Sequence, residues 1–350
     1  MHFRPKRVGK TNYNFKIFSQ TIRCVSQYKY LGVVFDEHLT FEVAVNALAV
    51  AAGRALGALC TKFKSMKEMG FQTFTKLFNT CVTTVMDYGS EVWGGKDFSK
   101  PESVQNRAMR FYLGVHRYTC NQAVQGDMGW NSCRNRWALN MIRFWNRLIR
   151  MDSNRLTRKV FDWDYSLCRN NWSDHMKTIF LKTDFENVFY SRMFSDVNEA
   201  SIKLHNIQKS DWVIQARSKP KLRTFIQYKL EFGLENYVKL NLSRGERSML
   251  AQLRCGVLPL QVETGRFNNE KLEERVCKFC SLNETEDELH FMFRCHLYTQ
   301  ERNDLLSNIN MLDFPSEILL IQYLMNTKCR KLAKFVQHAF AKRRQLIYQS

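Results

Sequence analysis

Four residues near the C-terminus have the types and spacing of a metal site. Two residues separate Cys277 from Cys280, nine separate Cys280 from His290, and four separate His290 from Cys295. Zinc takes four nitrogen or sulfur ligands tetrahedrally, and a CxxC turn presents two thiolates together. We therefore predict a structural zinc ion with no position open for a water. His296 could replace Cys295 as the fourth ligand, and the alternative to a metal is a set of ordinary core cysteines with His290 on a helix.

The second chemical feature is positive charge. The 350 residues include 53 Lys and Arg against 33 Asp and Glu, a formal net charge of +20. Acids are scarce over 102–159 and absent from 217–229 and from 328–350. Cationic side chains neutralise phosphates and release counterions, while aromatic rings can stack on bases. We predict binding to RNA, DNA or both, and the alternative is a set of ordinary solvated helix faces.

The candidate nucleic-acid contacts come from these basic stretches. Within 133–150 the spacing is that of one helix face, with basic residues three and four positions apart. The candidates are Arg107, Arg110, Arg143, Arg147, Arg150, Lys221 and Arg223.

No pattern in the chain predicts catalysis. Phosphoryl-transfer polymerases use neighbouring carboxylates to hold two Mg²⁺ ions about 3.5–4 Å apart. The sequence contains no Asp-Asp pair, and Asp162-Trp163-Asp164 has no strand-turn-strand pattern around it. Metalloprotease, serine-hydrolase and P-loop motifs are also absent. We expect the chain to have no enzymatic activity on its own.

Composition places the chain among folded proteins of a reducing compartment. It is 45% hydrophobic with only 5 Pro and 15 Gly, which allows a sizeable core in two or three domains. Eleven cysteines are too few for a disulfide scaffold. We find neither a secretory signal nor an apolar run long enough to span a bilayer. The expected location is the nucleus or the cytoplasm, with no membrane segment and no secretion.

Hydrophobic periodicity predicts a mainly α protein that opens with a small β segment. Residues 12–36 alternate, which predicts two or three antiparallel strands. A helical stripe then runs from Phe41 to Phe63 behind a Thr40 N-cap, and later helices start near Phe71 and Pro101. Capping boxes are predicted at 243–246 and at 285–288. The predicted divisions are a hairpin over 1–36, helices over 37–98, a basic helical connector over 99–215, and a C-terminal domain over 216–350 with the zinc module at 277–295.

Taken together, the motifs resemble the C-terminal part of the reverse transcriptase of non-LTR (LINE-type) retrotransposons. The segments that carry the resemblance, in chain order, are Tyr-Lys-Tyr-Leu-Gly-Val at 28–33, Asp-Tyr-Gly-Ser-Glu-Val-Trp-Gly at 87–94, Val-Gln-Asn-Arg-Ala at 104–108, Gly-Asp-Met-Gly-Trp at 126–130, Leu-Arg-Cys-Gly at 253–256 and the run from 263 to 298. The resemblance implies a palm-edge hairpin called the primer grip, a helical thumb, a connector and a zinc module. It also implies that Tyr30, Leu31 and Gly32 lie where a primer end is held.

The resemblance covers only the back half of that polyprotein. The family's catalytic palm strands and endonuclease have no counterpart before Met1. It therefore implies a truncated, nucleic-acid-binding fragment of a transposable element without polymerase activity. Two alternatives stay open: part of an active RNA-directed DNA polymerase whose upstream portion is missing, or a protein-interaction module or relic whose exposed hairpin and thumb faces are covered by a partner protein.

Overall fold

The computed structural model describes residues 1–66 and 68–349 and confirms the mainly α fold. Four short strands are found among these residues: β1 (Lys16–Ile17), β2 (Gln20–Thr21), β3 (Gln27–Tyr30) and β4 (Val33–Asp36). They form two separate antiparallel pairs, β1 with β2 and β3 with β4. The alternating pattern over 12–36 thus corresponds to two hairpins.

The tight turn between β3 and β4 is made by Leu31 and Gly32, because Tyr30 pairs directly with Val33. Both turn residues have positive φ angles, 45° and 85°. A two-residue hairpin loop with positive φ at both positions matches the right-handed twist of its strands. Glycine tolerates this conformation freely, whereas Leu31 adopts it at a steric cost.

The α-helices of the described residues follow in chain order. The first nine are α1 (Glu42–Ser65), α2 (Phe71–Phe78), α3 (Thr84–Met86), α4 (Ser90–Trp93), α5 (Ser99–Leu113), α6 (Asn121–Met128), α7 (Cys133–Ile149), α8 (Leu156–Leu167) and α9 (Trp172–Lys182). The others are α10 (Glu186–Tyr190), α11 (Val197–Arg217), α12 (Phe225–Tyr228), α13 (Asn236–Lys239), α14 (Arg244–Arg254), α15 (Gln261–Thr264), α16 (Thr299–Leu306), α17 (Glu317–Thr327) and α18 (Cys329–Gln349).

Shorter helical turns complete the chain. Two π-helical segments cover Asn79–Thr83 and His290–Arg294. Single 3₁₀ turns cover Pro220–Leu222, Gly265–Asn268, Leu272–Glu274, His296–Tyr298 and Met311–Asp313.

The start of α1 is fixed by Asp36 at the end of β4. The Asp36 carboxylate accepts hydrogen bonds from the backbone N–H groups of Thr40 and Phe41 and from the Thr40 hydroxyl. Thr40 Oγ1 in turn accepts a 3.4 Å bond from Glu42 N. The predicted Thr40 cap therefore exists, but Asp36 holds it in place.

Helix α1 carries the predicted apolar stripe. Val45, Ala52, Leu56 and Phe63 are buried along one side. Among the described helices, α1 is the one long and apolar enough to cross a membrane. A core helix meets the same criterion of length and composition, so this observation alone assigns no membrane span.

The two predicted capping boxes had different outcomes. At α14 the Ser243 hydroxyl accepts from Glu246 N, and the Glu246 carboxylate accepts from Ser243 N, as predicted. The box predicted at 285–288 is wrong. Thr285 pairs with Val276 in an isolated β-bridge, and the Glu288 carboxylate accepts from the Thr224 hydroxyl instead. The local cap is made by Asp287, whose Oδ1 accepts from His290 N at 2.8 Å.

The chain divides into two compact units, each assembled from three stretches. The first unit comprises 1–59, 77–105 and 131–207, and the second 60–76, 106–130 and 208–350. In the first unit, Trp145 is fully buried and contacts the rings of Phe161, Phe180 and Phe189. The predicted divisions near 36, 98 and 215 stay predictions.

Aromatic clusters also pack the second unit. In one, Phe74 stacks on Tyr112 and meets Phe63 edge-on. In a second, Phe291 contacts Tyr298 and Phe335. The second cluster packs the segment that follows His290 against α18, which anchors the candidate metal site on a long helix.

Candidate metal centre

The four predicted ligands converge on one point. One ligand atom from each of Cys277, Cys280, His290 and Cys295 lies within 4.8 Å of all the others. The sulfurs of Cys277 and Cys295 are 3.8 Å apart, and Cys280 Sγ lies 3.5 Å from His290 Nε2. Zn–S bonds of about 2.3 Å and Zn–N bonds of about 2.0 Å give tetrahedral edges of about 3.8 Å and about 3.5 Å. The side chains thus have the spacing of a four-coordinate site.

A short loop between two paired residues presents the two cysteines of the CxxC turn. Val276 and Thr285 form an antiparallel bridge, and Cys277 N donates to Glu284 O at 2.9 Å. Within the turn, Phe279 N lies 3.5 Å from Cys277 Sγ, which accepts from it. Backbone N–H donation to a sulfur favours its thiolate form. The loop therefore orients both sulfurs toward the same side.

A π-helical turn brings the other two ligands together. Cys295 N donates to His290 O at 2.8 Å, a bond between residues five apart. A regular α-helix bonds residues four apart, and π turns of this kind are frequent at functional sites. The wider π turn spans the four residues between His290 and Cys295 and places both side chains in the ligand group.

A carboxylate outside the ligand set orients the imidazole. His290 Nδ1 lies 3.1 Å from Glu284 Oε2, and His290 is fully buried. A metal-binding histidine commonly donates its second ring N–H to a carboxylate, which fixes the tautomer and leaves the other nitrogen for the metal. The hydrogen bond to His290 holds the pKa of Glu284 below its usual range, with Arg294 adding to the effect.

Hydrogen bonds within the group shift the pKa values of Cys277, His290 and Cys295. The hydrogen bond to Cys295, together with burial, raises the pKa of Cys277 to about 12, while the same bond lowers the pKa of Cys295. Burial disfavours imidazolium at His290, but hydrogen bonds to Cys277 and Glu284 outweigh it and raise the pKa to about 9. Metal ligands must be deprotonated, so a cation bound by these thiols and this imidazole would displace their protons.

The structure distinguishes between the two candidates for the fourth ligand. Cys295 is buried inside the group, whereas His296 is exposed and begins the following 3₁₀ turn. The metal-ligand group therefore contains Cys295.

Sequence reasoning missed the anchor of this site. Glu286 is fully buried, and its carboxylate pairs with both terminal nitrogens of Arg343 on α18. It also accepts a 2.8 Å bond from Gln261 N. Arg343 belongs to the basic C-terminal run, so it holds the loop of the site rather than facing solvent. The two residues are 57 positions apart, so no local sequence pattern predicts that they pair.

The predicted arginine face on α7 is exposed. Arg143, Arg147 and Arg150 lie on the solvent side of the helix. Arg143 donates to Asn140, while Arg147 and Arg150 lie over the rings of Phe144 and Phe194, at 4.8 Å and 4.0 Å. Within the described residues none of the three has a carboxylate partner, so their charges are available to a polyanion.

The other basic candidates have different surroundings. Arg107 is exposed, whereas Arg110 is half-buried and donates to Thr119 O. Lys221 pairs with Glu263, and Arg223 lies 3.3 Å from Glu288. The last two positions carry charge that the fold already neutralises.

The residues expected at a primer end form the tip of the β3–β4 hairpin. Tyr30 and Leu31 are 58% and 73% exposed. The Tyr88 hydroxyl donates to Leu31 O at 2.9 Å, so the motif at 87–94 touches the hairpin. Two of the resembling segments thus meet in space.

These features define a mainly helical protein with four side chains that could hold a metal ion and with an exposed arginine face. The chain is 24% identical over 131 residues to the protein described as "Probable RNA-directed DNA polymerase from transposon BS" of Drosophila melanogaster. The match covers 37% of this chain and 14% of that protein, so the chain spans a small part of its relative. The similarity supports a region related to reverse transcriptase. No protein-family model and no solved structure matches.

Proposed function

We propose that this chain is a nucleic-acid-binding fragment of a retrotransposon reverse transcriptase, corresponding to its C-terminal part. The observation that carries the proposal is the exposed face of Arg143, Arg147 and Arg150, which lacks carboxylate partners within the described residues. At a rise of about 1.5 Å per residue, this face extends about 10 Å along α7 and can follow successive phosphates. The net charge of +20 and the partial similarity to a transposon polymerase support the same proposal.

The experiment is a titration of single-stranded RNA and of duplex DNA at two salt concentrations. Contacts to six to ten phosphates reduce affinity by about 10³–10⁵ between 50 and 200 mM salt. We expect steep salt dependence for at least one of the two ligands. Affinity that does not change between the two concentrations would exclude phosphate-dominated binding.

We further propose that the ion of the four-ligand group is zinc and that its role is structural. Three sulfurs and one nitrogen at tetrahedral spacing leave no place for substrate or water, which is the arrangement of structural zinc sites. The ligands belong to a loop, a π turn and the start of a 3₁₀ turn. Such elements have few backbone hydrogen bonds of their own, so a bound ion would contribute directly to their folding.

Our proposal includes no polymerase activity for this chain by itself. The sequence contains no adjacent aspartates that could hold two Mg²⁺ ions. Primer extension by the purified chain with a primed RNA template and Mg²⁺ tests this. Nucleotide incorporation that persists through further purification of the chain, and that is absent from a mock preparation without the chain, would contradict the proposal.

A protein partner and an intracellular location belong to the same proposal. The first hairpin exposes Phe15, Ile17 and Phe18, and the second exposes Tyr28 and Leu31. These side chains support a partner that covers the hairpin face. All eleven cysteines are free thiols, which supports the nucleus or cytoplasm.

A further inference from the structure

A cavity of about 480 Å³ lies in the second unit, at the junction of α5 and α14. Its walls come from the end of α5, with Arg110, Phe111 and Gly114, and from the first two turns of α14, with Arg244 and Ser248. The volume falls within the roughly 300–1,000 Å³ of small-molecule sites. None of the described residues that line it is acidic.

Close contact between the two helix ends shapes the cavity. Gly114 ends α5 with a φ of 72°, and Ser248 Oγ donates to Gly114 O at 2.7 Å. A Cβ atom on Gly114 would lie 2.8 Å from Ser248 Cβ, which is closer than two carbons can approach. Glycine therefore permits both the left-handed conformation and the contact.

The cavity is electropositive. Arg110 is fixed by donating through Nε and Nη2 to the carbonyl of Thr119, which accepts hydrogen bonds but leaves the charge uncompensated. Arg244 is a second cation in the lining.

The cavity also offers a surface for stacking. The Arg244 guanidinium lies 4.8 Å from the centre of the Phe111 ring and 5.6 Å from that of Phe63. Arg244 is half-buried and, within the described residues, has no carboxylate partner. Bases stack on guanidinium planes as well as on aromatic rings.

We propose that this cavity receives one nucleotide of a single-stranded nucleic acid, with the base against the stacked Arg244 and Phe111 and the phosphate beside Arg110. The proposal rests on the proposed nucleic-acid-binding function and adds a site that is separate in sequence from the arginine face of α7. A single strand is required because its unpaired bases are free to stack, whereas those of a duplex are not.

The experiment compares Arg244→Gln with Lys209→Gln by fluorescence anisotropy of labelled oligothymidylate. Lys209 is an exposed cation of the same unit that does not line the cavity, so its variant controls for the loss of one charge. We expect Arg244→Gln to lower affinity at least about fivefold, because one base–side chain stack contributes about 1–3 kcal/mol. Lys209→Gln should stay within about twofold of the wild type. Equal affinities for the two variants would overturn the site while leaving the general function intact, whereas no binding by the wild-type chain would overturn both.

A second measurement does not depend on the folding of a variant. Photocross-linking of wild-type protein to 5-bromodeoxyuridine oligonucleotides, followed by peptide mass spectrometry, should label the peptide that contains Phe111 or the one that contains Arg244. Cross-links confined to peptides without cavity residues would overturn the proposal. Thymidine monophosphate should not displace the oligonucleotide at an equal nucleotide concentration, and efficient displacement would show a site for free nucleotides instead.

Discussion

Arg254 on α14 and Asp127 on α6 form a buried bidentate ion pair across 127 positions of sequence. Arg254 Nε and Nη2 each donate to one oxygen of Asp127 at 2.9 Å. The Tyr237 hydroxyl donates to the same carboxylate at 2.8 Å, and Glu235 lies 3.2 Å from Arg254. The pair joins the segments at 126–130 and 253–256, two of those that carry the family resemblance. Their residues therefore serve the packing of the second unit.

Removal of one partner of this pair should destabilise the protein strongly. Arg254→Ala leaves Asp127 buried without its counter-charge, which costs about 3–5 kcal/mol. Urea unfolding followed by tryptophan fluorescence measures the loss. Arg134→Ala, which removes the exposed pair with Asp97, should cost no more than about 1 kcal/mol. Equal small effects of the two variants would show that the buried pair is not critical for stability.

Replacement of a metal ligand should remove the ion. Purified protein should contain about one zinc per chain, whereas Cys277→Ser and Cys295→Ser should each contain much less, since a structural site uses all four ligands. Inductively coupled plasma mass spectrometry gives the stoichiometry. Cys81→Ser changes an exposed thiol outside the group and should keep the metal. Unchanged zinc content in both ligand variants would disprove the ligand set.

Glu284 should tune affinity for the metal without being a ligand. Loss of the carboxylate that accepts from His290 typically reduces metal affinity by about 10–100-fold. Glu284→Gln should therefore release zinc to a chelator at a lower chelator concentration than the wild type, while still binding about one equivalent at saturation. Glu273→Gln, at an exposed position outside the group, serves as the control. Identical release curves for wild type and Glu284→Gln would rule out this role.

The arginine face of α7 should determine part of the salt dependence. Each phosphate contact that is lost reduces the slope of log affinity against log salt by about 0.9 on duplex DNA. Replacement of Arg143, Arg147 and Arg150 by Gln should thus reduce the slope by roughly 2–3. A control with the same loss of charge replaces the exposed Lys100, Arg169 and Lys182 by Gln. If the two triple variants have the same slope, net charge alone accounts for binding and the face has no special role.

Acid should weaken the start of α1 through Asp36. Burial tends to raise the pKa of Asp36, but hydrogen bonds from Thr40, His38 and Phe41 outweigh it and lower the pKa below 3.8. A lowered carboxylate pKa stabilises the folded state above the unfolded-state value, and the benefit is lost as pH falls through the folded-state value. The urea midpoint of Asp36→Asn should therefore lie below that of the wild type at pH near 5 and approach it below about pH 3.8.

Asp184→Asn provides the comparison, because Asp184 is exposed. Its urea midpoint should follow that of the wild type over the whole range of pH. A constant difference between Asp36→Asn and the wild type at all pH values would show that the lost hydrogen-bond geometry, and not the ionisation, causes the destabilisation.

The local signals in the sequence were enough for several helices and for the group of candidate ligands. The apolar stripe of α1, the Thr40 cap before it and the capping box of α14 depend on residues within a few positions of one another. The metal ligands lie within 19 residues of sequence, and a chelating pair at CxxC spacing is a local pattern. Such features could be predicted because short-range geometry fixes them.

Partners that are distant in sequence were decided by the tertiary structure alone. The sequence placed Arg110, Lys221 and Arg223 among the nucleic-acid contacts. The fold pairs Lys221 and Arg223 with carboxylates, whereas Arg110 donates only to neutral oxygens and keeps its charge. The sequence could not show that Glu286 meets Arg343 or that Asp127 meets Arg254. An ion pair forms wherever packing brings two opposite charges together, and the spacing of residues along the chain does not predict which distant charges will pair. The sequence by itself determined the mainly helical character of the chain and the residue types of the candidate metal site, whereas only the packing of distant segments decided which charges are neutralised and which remain exposed.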